Sequence, residues 1–348
     1  MHGVKRSRVP PIQESAEVER KKRDKQLGMI QDYTRLVDQL QEKMKSEEYT
    51  NDTLQLSTNV LALNPEFHTG WAMRRRILVH GLLPLAESNE ARQTILSQDL
   101  NLTNQSLKLN PKNYSVWEHR KWVLDTMPDA DWSMEMKMVE LYLEKDGRNF
   151  HTWDYRRYLI ESILAITPEQ QESRTKQIKK PTIESELAFT KKKIGENFSN
   201  FSAWHYRTKL LGKMWEEKGW GEENEERRKR VDEEFELVKQ AIWSDPNDQS
   251  AWLYQRWLVG TGSIELVRRE IEGIEELLDE EPDSRWCLDS LIHYKRLLVK
   301  LLDSETDREE REKLILECKE MLDRLVKIDP MRVNRYRDIA LQIVPGRR

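Results

Sequence analysis

Apolar and polar positions follow a helical period through most of the chain. LDTMPDADWSMEMKMVELYLEKD (124–146) is one amphipathic segment of this kind, with an apolar stripe suited to packing on one side only. The period-two runs of β-branched residues that would mark strands are missing. A longer repeat is laid over the helical one. NPEFHTGWAMRRRIL (64–78), NPKNYSVWEHRKWVL (110–124), GRNFHTWDYRRYLI (147–160), NFSNFSAWHYRTKLL (197–211) and DPNDQSAWLYQRWLV (245–259) share one form. A turn, often Asn/Asp-Pro, is followed by Trp six residues after the proline slot. Arg74, Arg120, Arg156, Arg207 or Gln255 stands at Trp+3, and an aliphatic pair at Trp+6 and Trp+7. Two weaker copies put Leu288 (281–298) and Tyr336 (329–341) in the Trp slot.

The proline stops one helix and starts the next, because it fits a first helical turn but not an interior. Trp and Trp+3 lie on one face, as do Trp+3 and Trp+7. The segments between units read as the partner helix of each hairpin. One hairpin cannot bury its own apolar face, so neighbours stack into a continuous core. The predicted fold is all-α: a right-handed α–α superhelix, a crescent of about six or seven helical hairpins. The Trp slots are spaced 46, 36, 51 and 48 residues apart, unlike tetratricopeptide arrays, which hold near 34. The extra length falls in polar inserts, TPEQQESRTKQIKKPT (167–182) and EEKGWGEENEERRKR (216–230), expected as exposed and partly disordered excursions. Residues 1–26 are expected to be a mobile polar arm and 27–348 a single helical-repeat domain.

Composition changes the picture little. Of 348 residues 34% are charged, but 58 basic and 62 acidic side chains nearly cancel, to a formal charge of -4. That balance argues against a nucleic-acid binder and suits helices laced with opposite charges. The 12 tryptophans are the outlier, and the repeat accounts for five of them. Cys287 and Cys318 stand far apart and suggest neither a disulfide framework nor a metal site. No apolar run approaches the roughly 20 residues needed to span a bilayer, so stable membrane insertion is not expected and a cytoplasmic location is.

No GxGxxG, P-loop, GxSxG or HExxH pattern occurs, and the seven histidines form no metal-ligand spacing. The repeated Trp and Arg read first as packing and interhelical hydrogen-bonding groups. The turns before each Trp differ, because helix N-termini favour anions. Lys112-Asn113-Tyr114 and Asn149-Phe150-His151 fill equivalent turn slots in adjacent repeats and are expected to present Lys, His and aromatic rings to one ligand.

The unit N-P-x-x-x-x-x-W-x-x-R-x-x-[IVL]-[IL] resembles the repeats of protein prenyltransferase α subunits, and the resemblance runs from about residue 45 to 341. Three blocks, DGRNFHTWDYRRY (146–158), NFSNFSAWHYR (197–207) and SDPNDQSAW (244–252), look like the type II branch, as does Met1-His2-Gly3. The resemblance implies a crescent of hairpins wrapped around a β subunit, which holds a catalytic zinc and the isoprenoid pocket. It implies transfer of geranylgeranyl from geranylgeranyl diphosphate to C-terminal cysteines of Rab GTPases presented by a Rab escort protein. The cysteine sulfur attacks C1 of the isoprenoid as diphosphate leaves.

By the same resemblance, Lys112 in PKNY and His151 in NFH match the two groups that face the departing diphosphate, with Asn113, Tyr114, Asn149 and Phe150 around the substrate. Phe150 stands where farnesyltransferase has tyrosine, so no hydroxyl contact is expected there. His2 matches a histidine that reaches the β-subunit zinc from a mobile N-terminus. The chain ends at VPGRR soon after the last repeat, so the escort protein is expected to dock on the repeats themselves. Two alternatives stay open: the α subunit shared by farnesyltransferase and the type I enzyme, and a non-catalytic helical scaffold.

Overall fold

The computed structural model describes residues 16–172 and 178–343. Among these there are sixteen α-helices and no strand. In chain order they are α1 (Ala16–Lys45), α2 (Asn51–Leu63), α3 (His68–Ile77), α4 (Asn89–Leu109), α5 (Tyr114–Thr126), α6 (Trp132–Lys145), α7 (Phe150–Ala165), α8 (Pro168–Glu172), α9 (Ile183–Glu196), α10 (Phe201–Lys218), α11 (Glu225–Ser244), α12 (Gln249–Val259), α13 (Ile264–Glu280), α14 (Arg285–Leu301), α15 (Arg308–Ile328) and α16 (Val333–Ile343). The predicted hairpins are present as packed pairs: α2 with α3, α4 with α5, α9 with α10, α11 with α12, α13 with α14 and α15 with α16. Second members of successive pairs also touch, α3 with α5, α10 with α12 and α12 with α14.

The chain divides into two compact units, where the sequence reading expects one domain. The first holds the described residues up to 140 with those of 154–178; the second holds 141–153 with those from 179 onward. In both units the Trp slot is the centre of its repeat. Trp71, Trp117, Trp153, Trp204 and Trp252 are at most 2% exposed, and Leu288 and Tyr336 are buried in the same slot of the weaker copies. Each indole solves the same problem in the same way. Its Nε1–H donates to the backbone carbonyl six residues earlier, at Pro65, Pro111, Gly147, Phe198 and Pro246, over 2.8–2.9 Å. A large apolar ring is thereby buried with its polar edge satisfied, and the turn is tied to the helix it precedes.

The residue four before the Trp slot caps the helix. Asn113, Asn200 and Asp248 accept backbone N–H groups of the first turn, as Ser284 does before Leu288. Three boundaries differ from the sequence reading. α1 opens at Ala16, so residues 16–26 of the expected arm are helical, while His2 lies outside the described residues. Within 167–182, α8 forms, residues 173–177 lie outside the described chain, and Thr182 opens α9 through a capping box with Ser185. The 216–230 insert is largely exposed and is helical at both ends, with α11 opening at Glu225. α10 runs on to Lys218 and stops at Gly219, whose φ of 64° is left-handed. Trp215 stacks on Trp257 with ring centres 5.6 Å apart and planes within 3°. Arg227 covers Trp215 at 4.2 Å and donates to the Trp220 carbonyl at 3.1 Å.

Candidate functional site

The helix starts at 110–115 and 146–152 are built alike. In the first, Asn110 Oδ1 accepts the Lys112 N–H at 3.1 Å, turning the chain so that Lys112 lies at the surface. Asn113, 4% exposed, accepts the N–H groups of Ser115 (3.0 Å) and Val116 (3.4 Å), and its Nδ2 has no hydrogen-bond partner. Tyr114 is 58% exposed. Ser115 Oγ is hydrogen-bonded to Nδ1 of His68, which opens α3.

In the second, Asp146 Oδ1 accepts the Arg148 N–H at 3.2 Å, and buried Asn149 accepts the N–H groups of His151 (3.1 Å) and Thr152 (3.4 Å). Phe150 is 54% exposed, and its ring lies over His151 with centres 4.0 Å apart and planes 30° apart. His151 is only 6% exposed beneath it. The structure thus brings Lys112, Asn113 and Tyr114 together in the first unit and Asn149, Phe150 and His151 together in the second. Each group stands at the start of a helix of 13 or 16 residues, where the unpaired N–H groups and the dipole favour a negative ligand.

Behind these turns runs a second recurring arrangement, at Trp+2 and Trp+3. Arg120 reaches back to the Leu100 carbonyl and Thr103 Oγ1 of α4, and forward to Glu135 of α6 at 2.6 and 2.8 Å. The Tyr155 hydroxyl donates to the same carboxylate at 2.7 Å. In the other unit Arg207 reaches back to Leu187 and Thr190 and forward to Glu234, which also accepts from Tyr254 at 2.8 Å. Arg74 and Asp99 repeat the theme, with His119 in place of the tyrosine. The Trp+2 rings pack at a tilt of 39–45° against the preceding repeat's Trp, with centres 4.6–4.7 Å apart for Trp71–His119, Trp117–Tyr155 and Trp204–Tyr254. Burial and the Glu135 charge hold the Tyr155 phenol well above its ordinary range. For His119, burial outweighs Asp99 and leaves the imidazole below its usual value, hence neutral.

The sequence reading takes in only half of this arrangement, Trp+3 and not Trp+2, although WEHR, WDYR, WHYR and WLYQ carry His or Tyr there and the first repeat, WAMR, carries Met73. Its carboxylate partner carries no fixed spacing, being 15 residues after Arg120 but 27 after Arg207. No group of three or more His, Cys, Asp or Glu among the described residues could hold a metal ion. No helix of the described chain is long and apolar enough to cross a membrane.

Comparison with known proteins places this lattice. The protein prenyltransferase alpha subunit repeat matches residues 96–127, 132–163, 183–214 and 231–261, stretches that fall on α4 and α5, α6 and α7, α9 and α10, and α11 and α12. A geranylgeranyl transferase type-2 subunit alpha from Schizosaccharomyces pombe is 32% identical over 99% of this chain and 98% of its own. The Rattus norvegicus protein of the same name is 37% identical over 62% of this chain, which spans 34% of that longer relative. Among solved structures, a chain of Candida albicans protein geranylgeranyltransferase-I complexed with GGPP matches with a TM-score of 0.62 at 24% identity, over 90% of this chain and 91% of that one, and shows the common fold. From a full-length relative and four matched repeats it follows that this chain belongs to the protein prenyltransferase alpha-subunit family, with the alpha subunits of type-2 geranylgeranyl transferases.

Proposed function

We propose that the chain is the α half of a cytoplasmic heterodimer that moves geranylgeranyl from geranylgeranyl diphosphate to C-terminal cysteines of Rab GTPases held by an escort protein. The observation that supports this most is the end-to-end likeness to a type-2 α subunit. In the reaction a bond forms between the cysteine sulfur and C1 of the isoprenoid, the C1–O bond breaks, and diphosphate departs with that electron pair. Zinc and the isoprenoid pocket are assigned to the partner β subunit; the residues described here form no ligand set for a metal.

This chain's share is electrostatic. As C1–O breaks, charge grows on the leaving diphosphate, and a cation or N–H placed there stabilises the transition state more than the ground state. Lys112, exposed on a turn locked by Asn110, supplies the cation. His151 supplies a ring N–H beside the first turn of α7, with Phe150, Asn149, Asn113 and Tyr114 shaping the surroundings. His2 is assigned to the partner's zinc, as a ligand supplied from the N-terminus. The test is co-expression with a type-2 β subunit and transfer of labelled geranylgeranyl to a Rab–escort complex. Lys112→Ala and His151→Ala heterodimers are expected to assemble normally and turn over about 10- to 1000-fold more slowly. Transfer at the wild-type rate by both would remove them from the site. A chain that pairs only with a farnesyltransferase β subunit would reassign the substrate.

A further inference from the structure

We propose that Asn200 is a positioning residue for His151, a role that rests on the reading of His151 given above. Asn200 is 1% exposed and caps α10 through its Oδ1, which accepts the Ala203 N–H at 3.2 Å. Its other atom, Nδ2, crosses to the preceding repeat and donates to the Gly147 carbonyl at 2.7 Å. That carbonyl also accepts the Trp153 indole at 2.8 Å. Gly147 and Arg148 form the turn that leads directly into Asn149, whose Oδ1 takes up the His151 N–H. One side-chain amide therefore fixes, from outside, the turn on which His151 stands.

Capping does not explain the amide. The same slot in the next repeat is Asp248, which caps α12 through the Ser250 N–H at 2.8 Å with no amide nitrogen at all. At Asn113 the amide nitrogen is present and finds no hydrogen-bond partner. The slot thus requires an acceptor, which Asp248 and Asn113 both supply, and at 200 the donor has a defined use as well. Asp248 extends the chain of ties, because its carboxylate accepts the Ser199 hydroxyl beside Asn200. The starts of α12, α10 and α7, the Trp-bearing helices of three successive repeats, are thus linked turn to turn, and the last carries His151.

Asn200→Asp separates the two uses of the side chain. It keeps a capping oxygen of equal quality and sets an acceptor against the Gly147 carbonyl in place of a donor. In the assembled heterodimer it is expected to lower kcat by about tenfold, since small misplacement of an acting group costs that much or more, with the yield of heterodimer unchanged. Asn200→Ser, which caps but is too short to reach Gly147, is expected to do the same. In a His151→Ala background the further effect of Asn200→Asp should vanish, as expected of two residues acting through one group. A wild-type kcat for Asn200→Asp with a slow His151→Ala would overturn the positioning role alone. An equal loss in both backgrounds, or failure of both Asn200 variants to assemble, would assign Asn200 to folding and overturn it too. A wild-type rate for His151→Ala would overturn the reading beneath it.

Discussion

At the scale of single residues, the Asn side chains that open the repeats look interchangeable in sequence and are not so in structure. Asn113 uses its oxygen on two backbone N–H groups, while its buried amide nitrogen is idle within the chain. Asp satisfies the same N-cap and adds a charge that the helix dipole favours. Asn113→Asp is therefore expected to leave the urea midpoint within the equivalent of about 0.5 kcal/mol of wild type, in contrast to the functional cost expected at Asn200. A loss above about 2 kcal/mol would show that the Asn113 amide has a use this geometry does not reveal. The turn residues were legible in the sequence because their slots are fixed relative to Trp. What was not legible is which of the two amide atoms each Asn uses. That depends on whether the neighbouring turn brings a carbonyl close, as Gly147 is to Asn200.

At the scale of elements, the helices of successive hairpins are joined by buried ion pairs that also serve a tyrosine. Arg207 and Glu234 are 3% and 1% exposed, so removing one partner strands a charge away from water. Arg207→Met is expected to lower stability by about 3–5 kcal/mol, and adding Glu234→Leu is expected to recover most of that, because a well-packed apolar pair removes the uncompensated charge. Equal midpoints for the single and double variants would mean that the hydrogen bond from Tyr254 is enough to hold Glu234 in place without Arg207. Helix existence and pairing were readable from the Trp repeat, since each unit carries its own stop, start and apolar face. The Trp215–Trp257 stack beside the 216–230 insert is not legible in its polar composition, because the two rings lie on different helices. Polarity along the chain reports local propensity. It does not report a stack formed between residues 42 positions apart.

At the scale of the whole molecule, the buried titratable groups define a window of pH in which the repeats hold together. On the acid side, burial keeps His119 below its ordinary pKa near 6.5, and burial with nearby cations pushes His293 down to about 4. An unfolded chain takes up those protons first, so this part of the stability is present above about pH 6.5 and is lost as pH falls below it. Asp99 and Asp289 follow lower down. Burial opposes their ionisation, but His119 and Arg74 for Asp99, and Arg256 and Arg335 for Asp289, outweigh it and lower both pKa values. Their stabilisation is lost as pH drops below about 4. On the alkaline side the signs reverse. Burial raises Tyr155, Tyr254 and Tyr294 well above the usual phenol value, Tyr336 to about 12 and Cys318 to about 11. The unfolded chain releases these protons first, so stability present at pH 8 is lost from about pH 9 to 10 upward. The urea midpoint should be flat between about pH 7 and 8.5 and should fall on both sides. The fall from pH 7 to 5 should be shallower in His119→Gln, which keeps a donor toward Asp99 but cannot take up a proton. An unchanged slope in that variant would move the acid-side loss away from the Trp71–His119 junction and onto His293.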